Sequence, residues 1–154
     1  ATIAEGRVDL AALARRVAAD LAPRALDRGQ VLEVDAAPAV PVAGNETLLA
    51  VLLRNLVDNA LRYSPDGAAV RVTLGAAPGA GTRLLVEDSG PGLSEADRAR
   101  LGERFFRVLG SQASGSGLGW SIVRRIAAAH GLGVQVAPSA ALGGLAVTVT
   151  WPAA

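Results

Sequence analysis

One helix constrains this fold more than any other segment of the chain. From Glu46 to Tyr63, apolar residues fall on nearly every side: Leu48, Leu49, Leu52, Leu53, Leu56, Val57 and Leu61. Asn45, just ahead of them, is a residue type that caps helices by accepting a hydrogen bond from a free backbone N–H. A helix this apolar must be covered by other elements, so the spacing predicts a largely buried helix over 46–63. One stripe breaks the pattern. Asn55, Asn59 and Arg62 recur at i, i+4 and i+7, which puts all three on one face.

The remaining chain supplies what could cover such a helix. Asp9 is placed to cap a first helix carrying Leu10, Leu13, Val17 and Leu21, running to about Arg28 and ending at Gly29, with Pro23 an irregularity inside it. Gln30 to Asp35 alternates apolar and polar residues, as a strand does, and Ser64-Pro65-Asp66-Gly67 is a turn. Val70–Leu74 and Arg83–Glu87 form two strands of a hairpin. A short polar helix near Glu95–Leu101 and a Gly/Ser-rich stretch from Gly110 to Gly119 follow. A third main helix is expected from about Gly119 to His130, stopped by Gly131. Strands Gly133–Ala137 and Leu145–Trp151 complete the set. This order predicts an α/β sandwich, a mixed and largely antiparallel sheet covered on one face by three helices, as a single domain over 1–154.

Composition removes several classes of function. There is no Cys, hence no disulfide and no thiolate metal site. All 15 basic residues are Arg. A Walker A loop and a eukaryotic-type protein kinase each need a specific Lys, so both are excluded, and Schiff-base chemistry with them. The formal net charge is only +1 and the Arg residues are dispersed, without the basic stripe of a nucleic-acid binder. No apolar run approaches the roughly 18 residues of a membrane span, so no direct membrane insertion is expected. Met is missing too, even at position 1, which leads us to expect a piece of a longer protein.

Three motifs carry the chemistry. Buried amides left unpaired cost on the order of 1–3 kcal/mol each, and a hydrated Mg²⁺ with its phosphates would satisfy Asn55 and Asn59. The plain alternative is the solvated face of an amphipathic helix. Asp88-Ser89-Gly90-Pro91-Gly92 follows the strand ending Leu84-Leu85-Val86; Asp88 could accept a hydrogen bond from an exocyclic amine, with the glycines allowing close approach. An ordinary turn has the same composition. Gly115-Ser116-Gly117-Leu118-Gly119 runs straight into a helix start, where free N–H groups and the helix dipole favour an anion, although a flexible linker is also Gly/Ser-rich. Phe105 and Phe106 stand between Arg104 and Arg107, so an aromatic anchor could let an Arg reach phosphate. His130, the only His, precedes Gly131 and reads as complementing a helix C-terminal dipole rather than as a catalyst or phosphate acceptor.

Taken together, these motifs resemble the catalytic, ATP-binding domain of bacterial sensor histidine kinases, in the superfamily that also holds DNA gyrase, the large heat-shock chaperone and the mismatch-repair ATPase. Asn55–Ser64 is similar to the N box, Asp88–Gly92 to the G1 box, Arg104–Arg107 to the F box and Gly115–Val123 to the G2 box. The resemblance implies the Bergerat ATP-binding fold, with ATP and Mg²⁺ as its ligands. It implies Asn59, with Asn55, on the Mg²⁺, and Asp88 on the adenine amino group in a pocket shaped by Gly90 and Gly92. It implies Tyr63 beside adenine and ribose and Arg62 on phosphate. The loop Gly115, Gly117, Leu118 and Gly119, with Arg104 or Arg107, would close over the triphosphate.

The same resemblance implies the partners. The γ-phosphoryl would go to a His on the adjacent dimerisation and phosphotransfer domain, and from there to a response-regulator receiver domain. It implies a cytoplasmic domain of an inner-membrane sensor kinase. ATP-hydrolysing relatives carry Glu at the first N-box position, where this chain has Asn55, and an amide is no general base at neutral pH. That counts against a serine-directed kinase of the anti-sigma type. The other alternative is a degenerate interaction module, spoiled by Arg62 in place of the common Lys or Trp120 in place of the usual Leu.

Overall fold

The computed structural model describes residues 6–77, 81–100 and 118–153, with the side chain of Leu118 outside that set. Its elements, in chain order, are β1 (Arg7–Asp9), α1 (Leu10–Asp27), β2 (Val31–Asp35), β3 (Pro41–Ala43), α2 (Glu46–Tyr63), β4 (Ala69–Ala76), β5 (Thr82–Asp88), α3 (Glu95–Arg100), α4 (Leu118–His130), β6 (Gly133–Pro138) and β7 (Leu145–Thr150).

Both long N-terminal helices begin where their caps put them. Asp9 Oδ1 accepts from the backbone amides of Ala11, Ala12 and Val40, so it starts α1 and ties it to the chain after β2. Asn45 Oδ1 accepts from Leu48 N at 3.0 Å and starts α2. Gly29 (φ +64°) and Gly131 (φ +69°) follow α1 and α4 in the left-handed conformation that turns a chain off a helix end. Pro23 lies inside α1, which runs on through it.

The main sheet has the order β2-β4-β5-β7-β6, with β2 parallel to β4 and every other pair antiparallel. Parallel neighbours need a crossover, and α2 lies within the one between β2 and β4. Along the register Val34, Val72, Val86, Val147 and Val136 share one face. Val70, Val72, Leu84, Val86 and Val149 join Leu49, Leu52, Leu53, Leu56, Val57 and Leu61 of α2 in one buried core with α1 and α4. Burying a Leu of this kind is worth about 1.5–3 kcal/mol, so α2 is the keel of the domain. The mixed sheet under helices is the expected fold class.

Two short strands were not expected from sequence. β1 and β3 pair as a separate two-stranded ribbon, Arg7 opposite Ala43 and Asp9 opposite Pro41. Three residues are too few to display an alternation against an Ala/Pro-rich background.

Candidate nucleotide-binding site

Three features converge along α2. Its middle carries Asn55 and Asn59. Asn55 Nδ2 donates to Val51 O at 2.8 Å, one turn back, which ties down the donor half of the amide. The first turn of α4 crosses here: a Cβ on Gly119 would stand 3.0 Å from Asn55 Oδ1 and 3.4 Å from each polar atom of the Asn59 amide. A Cβ here would make both amides give way by a few tenths of an ångström, so glycine lets α4 begin this close to them undisturbed. Asn59 Nδ2 is buried and has no hydrogen-bond partner among the described residues. An orphaned amide beside a helix N-terminus, where free N–H groups favour an anion, fits a metal–phosphate group as its missing neighbour.

The C-terminal end of α2 faces Asp88. This residue ends β5 in register with Val70, so its side chain points to the helix-covered face. Oδ1 accepts from Gly90 N at 3.0 Å and from Leu145 N at 3.2 Å; Oδ2 takes no hydrogen bond among the described residues. Burial pushes the carboxyl above its ordinary value, against the lowering effect of those two amides. Ser64, the α2 C-cap, comes to the same place: a Cβ on Gly90 would meet both Asp88 Oδ1 and Ser64 Oγ at 3.1 Å. Gly92 adopts φ +72°, which explains glycine there. From Asn59 to Ser64 the helix rises about 7.5 Å at 1.5 Å per residue, the scale that separates a nucleotide base from its phosphates.

Arg62 lies one turn from Asn59, but its Nε is held by Asp58 Oδ2 at 2.9 Å, and Arg24 of α1 grips the other carboxylate oxygen of Asp58 at 2.6 Å. Tyr63, the last helical residue, is half-buried beside Ser64. Arg104, Phe105, Phe106, Arg107, Gly115 and Gly117 lie outside the described residues, as does the side chain of Leu118. Trp120 is buried in the common core, packed as a structural residue in the first turns of α4.

His130 corrects the sequence reading. Its Nε2 accepts from Asn45 N at 3.1 Å, so its Nδ1 carries the proton and donates to Ile126 O at 2.9 Å. Complementing a helix dipole needs an imidazolium, whereas these bonds need the neutral ring. The buried side chain instead ties the end of α4 to the start of α2. Sequence reasoning also passed over Gly144. A Cβ there would overlap Asp88 Oδ1, so glycine is what lets the β6–β7 turn lie against that carboxylate. The Gly143-Gly144 pair ahead of the last strand was the available signal.

Comparison with known proteins gives the family. Residues 44–154 match the family of histidine kinase-, DNA gyrase B- and HSP90-like ATPases. Sensor protein QseC of Escherichia coli (strain K12) is 47% identical over 115 residues, covering 75% of this chain and 24% of that protein. The solved mycobacterial sensor histidine kinase MprB superposes with a TM-score of 0.85 at 30% identity, covering 96% of this chain and 97% of that one. Full-length ShkA, solved in complex with AMPPNP, gives 0.77 at 32% identity, over 96% of this chain and 32% of that one. The chain therefore belongs to the histidine kinase-, gyrase B- and HSP90-like ATPases, a family of ATP-binding domains. Within it, this is a catalytic domain of the bacterial sensor histidine kinase type. It spans about a quarter of the length of the curated relatives it matches.

Proposed function

We propose that this domain binds Mg²⁺-ATP along α2 and donates the γ-phosphoryl to a histidine on the adjacent dimerisation and phosphotransfer domain of its parent sensor kinase, for relay to a response-regulator receiver. The observation that carries this reading is the approach of Gly119 to Asn55 and Asn59, at one end of a helix segment whose other end meets Asp88. Asn55 and Asn59 are the residues that would hold Mg²⁺, which supplies neutralisation of phosphate charge when bound. Asp88, with its unengaged Oδ2, accepts from the adenine amine, and Gly90 and Gly92 leave room for the ring. Tyr63 flanks adenine and ribose. Arg62 leaves Asp58 to reach phosphate, and Arg24 keeps Asp58 neutralised when it does. Arg104, Arg107, Gly115, Gly117 and Leu118 complete the phosphate cover.

Asn55 gives the chemistry its direction. An amide cannot take a proton from water near neutral pH, so the site orients the phosphoryl group without activating its hydrolysis. Positioning and charge neutralisation then carry the transfer. Among the described residues no helix is long and apolar enough to cross a membrane. We place the domain on the cytoplasmic side of the inner membrane, where ATP and receiver domains are found. Mixing the domain with Mg²⁺-ATP and the parent's His-bearing segment tests the proposal. Acid-labile phosphate on that segment is expected, and its absence while nucleotide still binds would refute the phosphotransfer step.

A further inference from the structure

Glu87 and Asp88 are neighbours on β5 whose side chains leave opposite faces of the sheet, and one turn grips both. On the face away from the helices, Glu87 is buried. Its Oε2 accepts from Ser139 Oγ at 2.7 Å, and its Oε1 lies 3.7 Å from Arg71 Nη2 on the neighbouring strand. Ser139 opens the turn between β6 and β7, and three further bonds knit that turn. Its Oγ accepts from Leu142 N at 2.9 Å, its N donates to Gly144 O at 2.7 Å, and its O accepts from Gly143 N at 2.9 Å. The far end of the same turn reaches Asp88: Gly144 N donates to Asp88 O at 3.0 Å and Leu145 N to Asp88 Oδ1 at 3.2 Å.

A carboxylate buried on the outer face of a sheet is costly unless it is hydrogen-bonded, and the short bond from a hydroxyl is of the strong, charge-assisted kind. Glu87 has no route to a nucleotide on the helix-covered face. We propose that Glu87 and Ser139 are positioning residues for base recognition: by anchoring the β6–β7 turn to β5, they hold the Leu145 amide on Asp88 Oδ1 and so keep Oδ2 turned toward the exocyclic amine of adenine. This rests on the reading of Asp88 as the base-recognising group. Without the anchor, the turn keeps only the Gly144 N–Asp88 O bond and the β5–β7 ladder, so the Leu145 amide is held less firmly and the Asp88 carboxylate rests more on Gly90.

The readout is the ratio of affinities for ATP and for purine riboside triphosphate, which lacks the amine, measured well below the melting temperature of each variant. A merely structural role weakens both nucleotides alike and leaves the ratio unmoved. Ser139→Ala should lower the ratio about tenfold, the worth of one charge-assisted hydrogen bond. Ser139→Thr, which keeps the hydroxyl, should restore it. Glu87→Gln keeps the shape of the acceptor without its charge and should lower the ratio about threefold, even if Ser139→Ala proves too unstable to study. An unchanged ratio in these variants, while Asp88→Asn abolishes it, overturns the positioning role alone. A parent ratio that Asp88→Asn leaves intact overturns the reading of Asp88, and the proposal falls with it.

Discussion

Gly119 stands against Asn55 so closely that a single added methyl would lie 3.0 Å from the Asn55 carbonyl oxygen. The glycine is helical, so nothing in the backbone requires it; the neighbouring amides do. Alanine is the better helix former by about 0.5–1 kcal/mol. Gly119→Ala should therefore melt no lower than the parent, yet bind Mg²⁺-ATP about tenfold more weakly, or about 1.4 kcal/mol. Calorimetric titration beside thermal melting checks both halves, and intact affinity would remove the close approach from the binding site.

Two carboxylates give pH dependences of opposite sign. Burial raises the folded-state value of Asp88 above 3.8, so the native state holds this proton more tightly than the unfolded chain. Stability from this group is full below 3.8 and is lost as pH rises through the raised value. Asp88→Asn should therefore raise the melting temperature at pH 7 and lose that advantage under acid, while nucleotide binding is damaged at both. Asp9 behaves the other way. Its hydrogen bond from Val40, with those from Ala12 and Ala11, lowers its value below 3.8. That stabilisation is present above 3.8 and disappears as pH falls through the depressed value. Melting curves of Asp88→Asn and Asp9→Asn across pH 3–7 should diverge from the parent in opposite directions at neutrality.

His130, tied to Ile126 O within α4, links that helix to the start of α2 through one hydrogen bond, from Asn45 N. Removing the ring leaves a cavity and the partly buried Asn45 amide without its bond, at a cost of about 1–3 kcal/mol for that group. His130→Ala should lower stability by at least that much in denaturant titration. Its affinity for nucleotide, measured where it is fully folded, should stay near the parent's, because the ring's hydrogen bonds go to Asn45 N and Ile126 O, neither of them a proposed binding group.

The helices and the main sheet were legible because each announces itself locally. Asn45 and Asp9 accept the amides expected of caps, Gly131 ends α4, and Glu46–Tyr63 is helical throughout. What escaped notice is non-local. β1 and β3 are three residues each and exist only because they pair with one another. Glu87 and Ser139 are 52 residues apart, and His130 and Asn45 are 85, so no window of sequence joins them. Gly144 must be small only because the fold sets it on Asp88. Arg62 shows the limit of helical spacing: it shares a face with Asn55 and Asn59, and its guanidinium still turns to Asp58.

The most direct test of the central claim is calorimetric titration of Mg²⁺-ATP into the parent and into Asn59→Ala, with and without the metal. The account predicts saturable one-to-one binding by the parent that strengthens with Mg²⁺. Asn59→Ala should fold normally and lose that metal dependence. No saturation in the folded parent, or an unchanged response to Mg²⁺ in Asn59→Ala, would contradict it.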